Sequence, residues 1–161
     1  MAADIKAKFG TNGQTFTCTL ASLSNNSARQ STEVDNSSNL FIDALVMLKV
    51  KSAGASTSST GYVAIYAFAS VDGGTTRTEG AGGSDAAITL TVPPNARLLG
   101  IVNVVANSTT YYGGPFSVAA AFGGILPQYW GIIVENKSGA SLDSTEGNHA
   151  KLWQGVYAQT V

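Results

Sequence analysis

The sequence predicts an all-β protein, a single-domain two-sheet antiparallel sandwich of about eight or nine strands, with a jelly roll as the expected form. Three observations predict it. Apolar residues alternate with small polar ones over strand-sized stretches. Gly, Asn, Ser or Pro punctuates the chain about every ten residues. Helix-period apolar patterning is nearly absent. The 161 residues suit one domain, and a 44% hydrophobic content is enough to bury a core. No fixed-length repeat is visible, which argues against a propeller or solenoid.

The chain divides into an N-terminal arm or first strand, 1–13, and a sandwich domain, 14–161. Ile5 to Phe9 is a weak strand candidate, and so is Arg29 to Val34. Gln14 to Leu20 places Phe16, Cys18 and Leu20 on one face and Thr15, Thr17 and Thr19 on the other, a half-buried strand with a threonine-coated outside. In Phe41 to Lys51, residues Ile42, Ala44, Val46, Leu48 and Val50 face one way, while Asp43, Lys49 and Lys51 share the other face. Ser52 to Thr60 is too polar to bury. Tyr62 to Val71 has Tyr62, Tyr66 and Phe68 opposite Val63, Ile65 and Val71. A long Gly-rich loop runs from Asp72 to Asp85. Ile88 to Val92 reads as a strand stopped by Pro93-Pro94-Asn95.

Leu98 to Ala106, Phe116 to Phe122 and Tyr129 to Glu135 read as three more strands. Breaks at Tyr112-Gly113-Gly114-Pro115 and at Gly123 to Gln128 separate them. The last strand, about Ala150 to Thr160, has Trp153 and Tyr157 on one face and Leu152 and Val156 on the other. Leu98 to Val105, Trp130 to Val134 and part of Phe41 to Val50 are apolar on both faces, although an antiparallel sandwich normally wets one. Either a loop covers the second face or another copy packs there.

Composition narrows the function. Nine Lys+Arg against ten Asp+Glu give a net charge of −1, and only 12% of residues are charged, against about 25% for an average globular protein. Seventeen Ser and sixteen Thr make the surface polar instead. Without Lys/Arg clusters, nucleic acid is not the expected partner. No apolar run reaches the length of a signal peptide or a membrane helix, so no membrane partner is expected. The lone Cys18 cannot form an internal disulfide, which points to synthesis in a reducing cytoplasm.

Reactive groups are sparse. His149 is the only histidine, and Cys18 alternates with threonines on the expected core face, so a thiolate–imidazole pair is disfavoured. Ser141, Asp143 and His149 are close in sequence, but triads meet in space and need an oxyanion hole. Asp72, Glu79 and Asp85 share the Gly-rich loop without calcium-loop spacing, and one Cys with one His cannot make a zinc site. No catalytic residue, metal or cofactor is expected. Exposed aromatics could stack on sugars. Tyr111 and Tyr112 are the exposed candidates, whereas Trp130 and Trp153 are expected to fill the core.

Read as a whole, the chain resembles the jelly-roll capsid decoration (cement) proteins of tailed bacteriophages. The resemblance rests on the short polar N-terminal segment, the Ser/Thr/Gly-rich strands, the stretch Gly61-Tyr62-Val63-Ala64-Ile65-Tyr66-Ala67-Phe68, and the ending Lys151-Leu152-Trp153-Gln154-Gly155-Val156-Tyr157. It implies a non-enzymatic virion protein, located on the capsid surface after synthesis in the host cytoplasm. Such a protein, usually a homotrimer, strengthens a shell made of the major capsid protein. The resemblance transfers no residue roles. On physical grounds the arm, residues 1–13, either orders on the shell surface, with Ile5 and Phe9 as apolar anchors and Lys6 and Lys8 as polar ones, or is a frayed terminus or simple first strand; Tyr111 and Tyr112 are further contact candidates. The alternative is a tail, fibre or lectin-like sandwich that takes a glycan.

Overall fold

Alternating burial along the chain produces two antiparallel sheets packed face to face. The computed structural model describes residues 4–160. Its strands are β1 (Ile5–Phe9), β2 (Gln14–Thr15), β3 (Ser27–Gln30), β4 (Val34–Asp35), β5 (Asp43–Lys51), β6 (Tyr62–Ser70), β7 (Ala86–Ile88), β8 (Arg97–Asn103), β9 (Thr110–Ser117), β10 (Tyr129–Lys137) and β11 (Ala150–Thr160), with a short helix, α1 (Val118–Ala121), and two 3-10 turns, Thr78–Gly80 and Glu146–Asn148. The first sheet has the order β1-β11-β5-β9, with β2 also on β11; the second has the order β7-β3-β10-β6-β8, with β4 also on β10.

The inner faces meet in one core. Val46, Leu48 and Val50 of β5 face Val63 and Ile65 of β6 and Ile132 and Val134 of β10. Phe16, Trp130 and Trp153 fill one part of it, with Trp130 edge-on to Phe16 at 5.4 Å and to Trp153 at 5.5 Å. Trp130 is fully buried, and truncating so large a core aromatic typically costs about 3–5 kcal/mol. Phe16, Cys18 and Leu20 are buried while their threonine neighbours are exposed, as the alternation predicts. That segment is in register with β11 only at Gln14–Thr15; beyond, it stays extended without a ladder.

Three element assignments need correcting. Phe116 to Phe122 is not a strand: β9 ends at Ser117, and the alanines beyond it turn into α1. The Ser117 hydroxyl accepts the Ala120 N–H at 3.1 Å and the Asp43 carboxylate accepts the Ala119 N–H at 2.8 Å, so a cap and helix-prone alanines win over the apolar run. Conversely, Tyr112-Gly113-Gly114-Pro115 is not a break but the middle of β9. It lies on a sheet edge, where a proline's missing N–H is tolerated, and a Cβ on Gly113 would stand 2.2 Å from Val102. Finally, of the Ile88 to Val92 stretch only Ile88 joins the ladder, as the end of β7 (Ala86–Ile88); from Thr89 to Pro94 the chain leaves the ladder, with Leu90 still packed on the outer cluster.

The Gly-rich loop is more than a solvated connection. Together with the segment up to Ala96 it lies on the outer face of the second sheet. There Ala81 and Ala96 pack with Ala28, Phe68 and Ile133 in a second apolar cluster, joined by Tyr66, Ile88 and Leu90. Its charged residues act as anchors. Glu79 accepts backbone N–H groups of Thr91, Asn95 and Ala96, Glu33 pairs with Arg77 at 2.6 Å, and Asp85 pairs with Arg29 and accepts from Thr19. This cover explains why Trp130 to Val134 is apolar on both sides.

Candidate functional site

Among the described residues the outer face of the first sheet has no such cover. In the antiparallel register Val156 stands opposite both Phe9 and Asp43, and Leu152 opposite Met47. Residues opposite one another point to the same side, so Ile5, Phe9, Val156, Leu152, Leu45 and Met47 share one surface. Lys49 faces Tyr112 across the β5–β9 ladder and adds that ring to the same surface. Ile5 is 73% exposed, Tyr112 70%, Phe9 55% and Met47 43%, while Leu45, Leu152 and Val156 between them are half-buried. A depression of about 240 Å³ lies at its centre, lined by Leu45, Met47, Pro115, Leu152, Trp153 and Gln154. A run of exposed large apolar groups on one face is the signature of an interaction surface, unlike scattered single ones.

One end of this face extends beyond the sandwich. Strand β11 pairs with β5 only from Ala150 to Val156; from Tyr157 to Thr160 its partner among the described residues is β1. All five β1 residues are exposed, so β1 and the end of β11 form a two-stranded ribbon wet on both sides. Ile5, Ala7 and Phe9 line one side. Lys6 and Lys8 line the other, Lys8 Nζ standing 5.6 Å over the Tyr157 ring. An isolated two-stranded ribbon is marginal in water, and this one gains stability from anything that packs on it.

The two tyrosines part company. Tyr112 points outward, whereas Tyr111 packs against the core and its hydroxyl accepts the N–H groups of Val105 (3.2 Å) and Ala106 (2.7 Å). It pins the β8–β9 connection. Of the six contact candidates, the structure thus brings Ile5, Phe9 and Tyr112 onto one face, turns Lys6 and Lys8 to the reverse of the ribbon, and folds Tyr111 inward. Sequence reasoning missed Leu45 and Met47, although both sit on the Asp43/Lys49 side of their strand and make it apolar on both faces. A second exposed apolar pair, Leu98 and Ile101 at 51% each, lies on β8.

The groups considered for chemistry are committed elsewhere. Burial, then the charge of Asp85, pushes the Cys18 thiol up to about 12, and Cys18 is 2% exposed. His149 is buried, its Nδ1 accepting the Lys51 N–H at 3.3 Å and its Nε2 lying 3.0 Å from the Asp143 backbone carbonyl. The Asp143 carboxylate accepts from Thr145 and Asn148 instead. Hydrogen bonds from Ser70, then Thr76 and Thr75, hold the Asp72 carboxyl well below the ordinary carboxylate range. Among the described residues no group of three His, Cys, Asp or Glu side chains converges to hold a metal ion, and no helix is long and apolar enough to cross a membrane. Trp130 and Trp153 lie in or against the core rather than on the surface.

No protein family, curated protein or solved structure matches the chain.

Proposed function

We propose that this is a non-enzymatic virion structural protein, a capsid decoration protein that docks on the phage head through the outer face of its first sheet. The observation that supports this is the asymmetry between the two sheets. The second sheet is roofed over β3, β10 and β6 by the protein's own loop, which leaves only Leu98 and Ile101 of β8 open on that side, whereas the first leaves a ribbon and a larger apolar face bare. A protein that works by adhesion needs such a face and no reactive centre. Binding the assembled shell but not its dissociated subunits stabilises the shell by mass action.

The strand orders support the same reading. With β1 and β2 taken as one interrupted strand, the sequences β1-β11-β5-β9 and β3-β10-β6-β8 have the alternation of a double Greek key, and we read the fold as a jelly roll. The major capsid protein is the proposed partner, a homotrimer the proposed docked form, and the capsid surface the proposed location. The test is co-sedimentation with purified particles and the copy number per particle, together with the oligomeric state in solution at micromolar concentration. A strict monomer that fails to sediment with particles overturns the proposal.

A further inference from the structure

We infer that the groove beneath the Thr89–Pro94 segment is a binding site for a neutral saccharide. The site is on the roofed side of the molecule and does not depend on the docking reading. Where the chain lifts off after β7 it leaves a groove of about 510 Å³ between itself and strands β3, β6 and β10. The inner wall carries a polar chain in which the Tyr66 hydroxyl donates to Glu135 Oε2 at 3.3 Å and Lys137 Nζ stands 3.0 Å from Glu135 Oε1. The outer wall offers Thr89 and the fully exposed Val92.

The chemistry of this lining selects the ligand. Glu135 and Lys137 neutralise each other, so neither an anion nor a cation finds an uncompensated charge. The polar groups nevertheless include an acceptor carboxylate, a donor ammonium and a hydroxyl that does both, which suits a ring of hydroxyls. Tyr66, Val92 and Pro94 give the apolar contact that the C–H face of a pyranose seeks. An open groove with mixed walls suits a sugar better than a fatty or steroidal ligand, which needs an enclosed apolar cavity. The outer wall is fixed before any ligand arrives, because the Glu79 carboxylate holds the N–H groups of Thr91, Asn95 and Ala96; pre-organisation of this kind lowers the ordering cost of binding. This groove, and not Tyr111 or Tyr112, is where the glycan is placed.

The experiment is a glycan array probed with the labelled full chain, followed by calorimetry with the glycans that give signal. Lys137→Ala removes the donor, and Val92→Asp puts a charge on the rim; both positions are on the groove wall outside the main core. Each variant should melt close to the parent and bind about tenfold or more weakly, Lys137→Ala because it loses a hydrogen bond from a charged group and Val92→Asp because it replaces an apolar contact by a charge. Tyr112→Ala, on the opposite sheet, should bind as the parent does. The inference is overturned if no glycan binds the parent, if both groove variants bind unchanged, or if Tyr112→Ala abolishes the signal. Particle co-sedimentation of the same variants reads the docking reading separately.

Discussion

The ring of Phe116 occupies the space that a side chain at Gly100 would need: a Cβ there would stand 2.2 Å from Phe116 Cε1. Gly100 is on β8 and Phe116 on β9, so this contact closes the two sheets along one side of the sandwich. Gly100→Ala should therefore push the ring aside and destabilise the fold by about 1–3 kcal/mol, as overpacking generally does. Thermal or denaturant unfolding measures it, and a variant as stable as the parent would mean that β8 and β9 can part freely.

Docking through the first sheet predicts a separation of stability from binding. Met47→Asp and Ile5→Asp alter exposed positions and should change folding stability by about 0.5 kcal/mol or less. Their recovery with sedimented particles should drop sharply, that of Ile101→Asp on β8 much less. Retained binding by both first-sheet variants would remove the face from consideration.

Acid should loosen the roof over the second sheet. Burial pushes the Asp85 carboxyl up, but hydrogen bonds from Arg29 and Thr19 outweigh it and bring it to about 2, below its ordinary 3.8. A depressed carboxyl stabilises the fold fully above its ordinary value and loses that contribution as pH falls through the lower one. Glu79 and Glu146 are lowered as well and act in the same direction. Unfolding free energy should thus decline between about pH 5 and pH 2, and Asp85→Asn should flatten that decline. An identical pH profile in the variant would contradict the assignment.

Cys18 should be silent in the native state. With the thiol pushed up to about 12 by burial and only 2% exposed, thiol reagents at mildly alkaline pH should label it only on unfolding. Rapid labelling of folded protein, followed by mass spectrometry, would show that the segment from Phe16 to Leu20 opens.

Much of this architecture is legible in the residues because burial follows parity. Ala44, Val46, Leu48 and Val50, or Phe16, Cys18 and Leu20, announce their inward face by alternation alone. What escapes is whatever depends on distant partners. Ser117 followed by alanines is a local cap signal that the apolar run obscures, but nothing near Phe116 signals that Asp43 will take the Ala119 N–H there, and Gly113 and Pro115 look like a break until Val102 is seen to need the room. The acidic residues of the Gly-rich loop look solvated because their backbone partners, such as Ala96, are far along the chain. For the contact face, the doubly apolar strands are the visible signal. Which of them stays bare is decided by a loop that covers Ile133 and leaves Met47 open, and no local pattern encodes that choice.

The roof itself has a practical consequence. The chain wraps most of one flank and leaves the other bare, so a copy that docks through the bare flank, as proposed, turns the Val92 flank to the outside. A fluorophore or peptide tethered through Val92→Cys would then ride clear of whatever lies beneath Met47, which makes that position the natural handle for display.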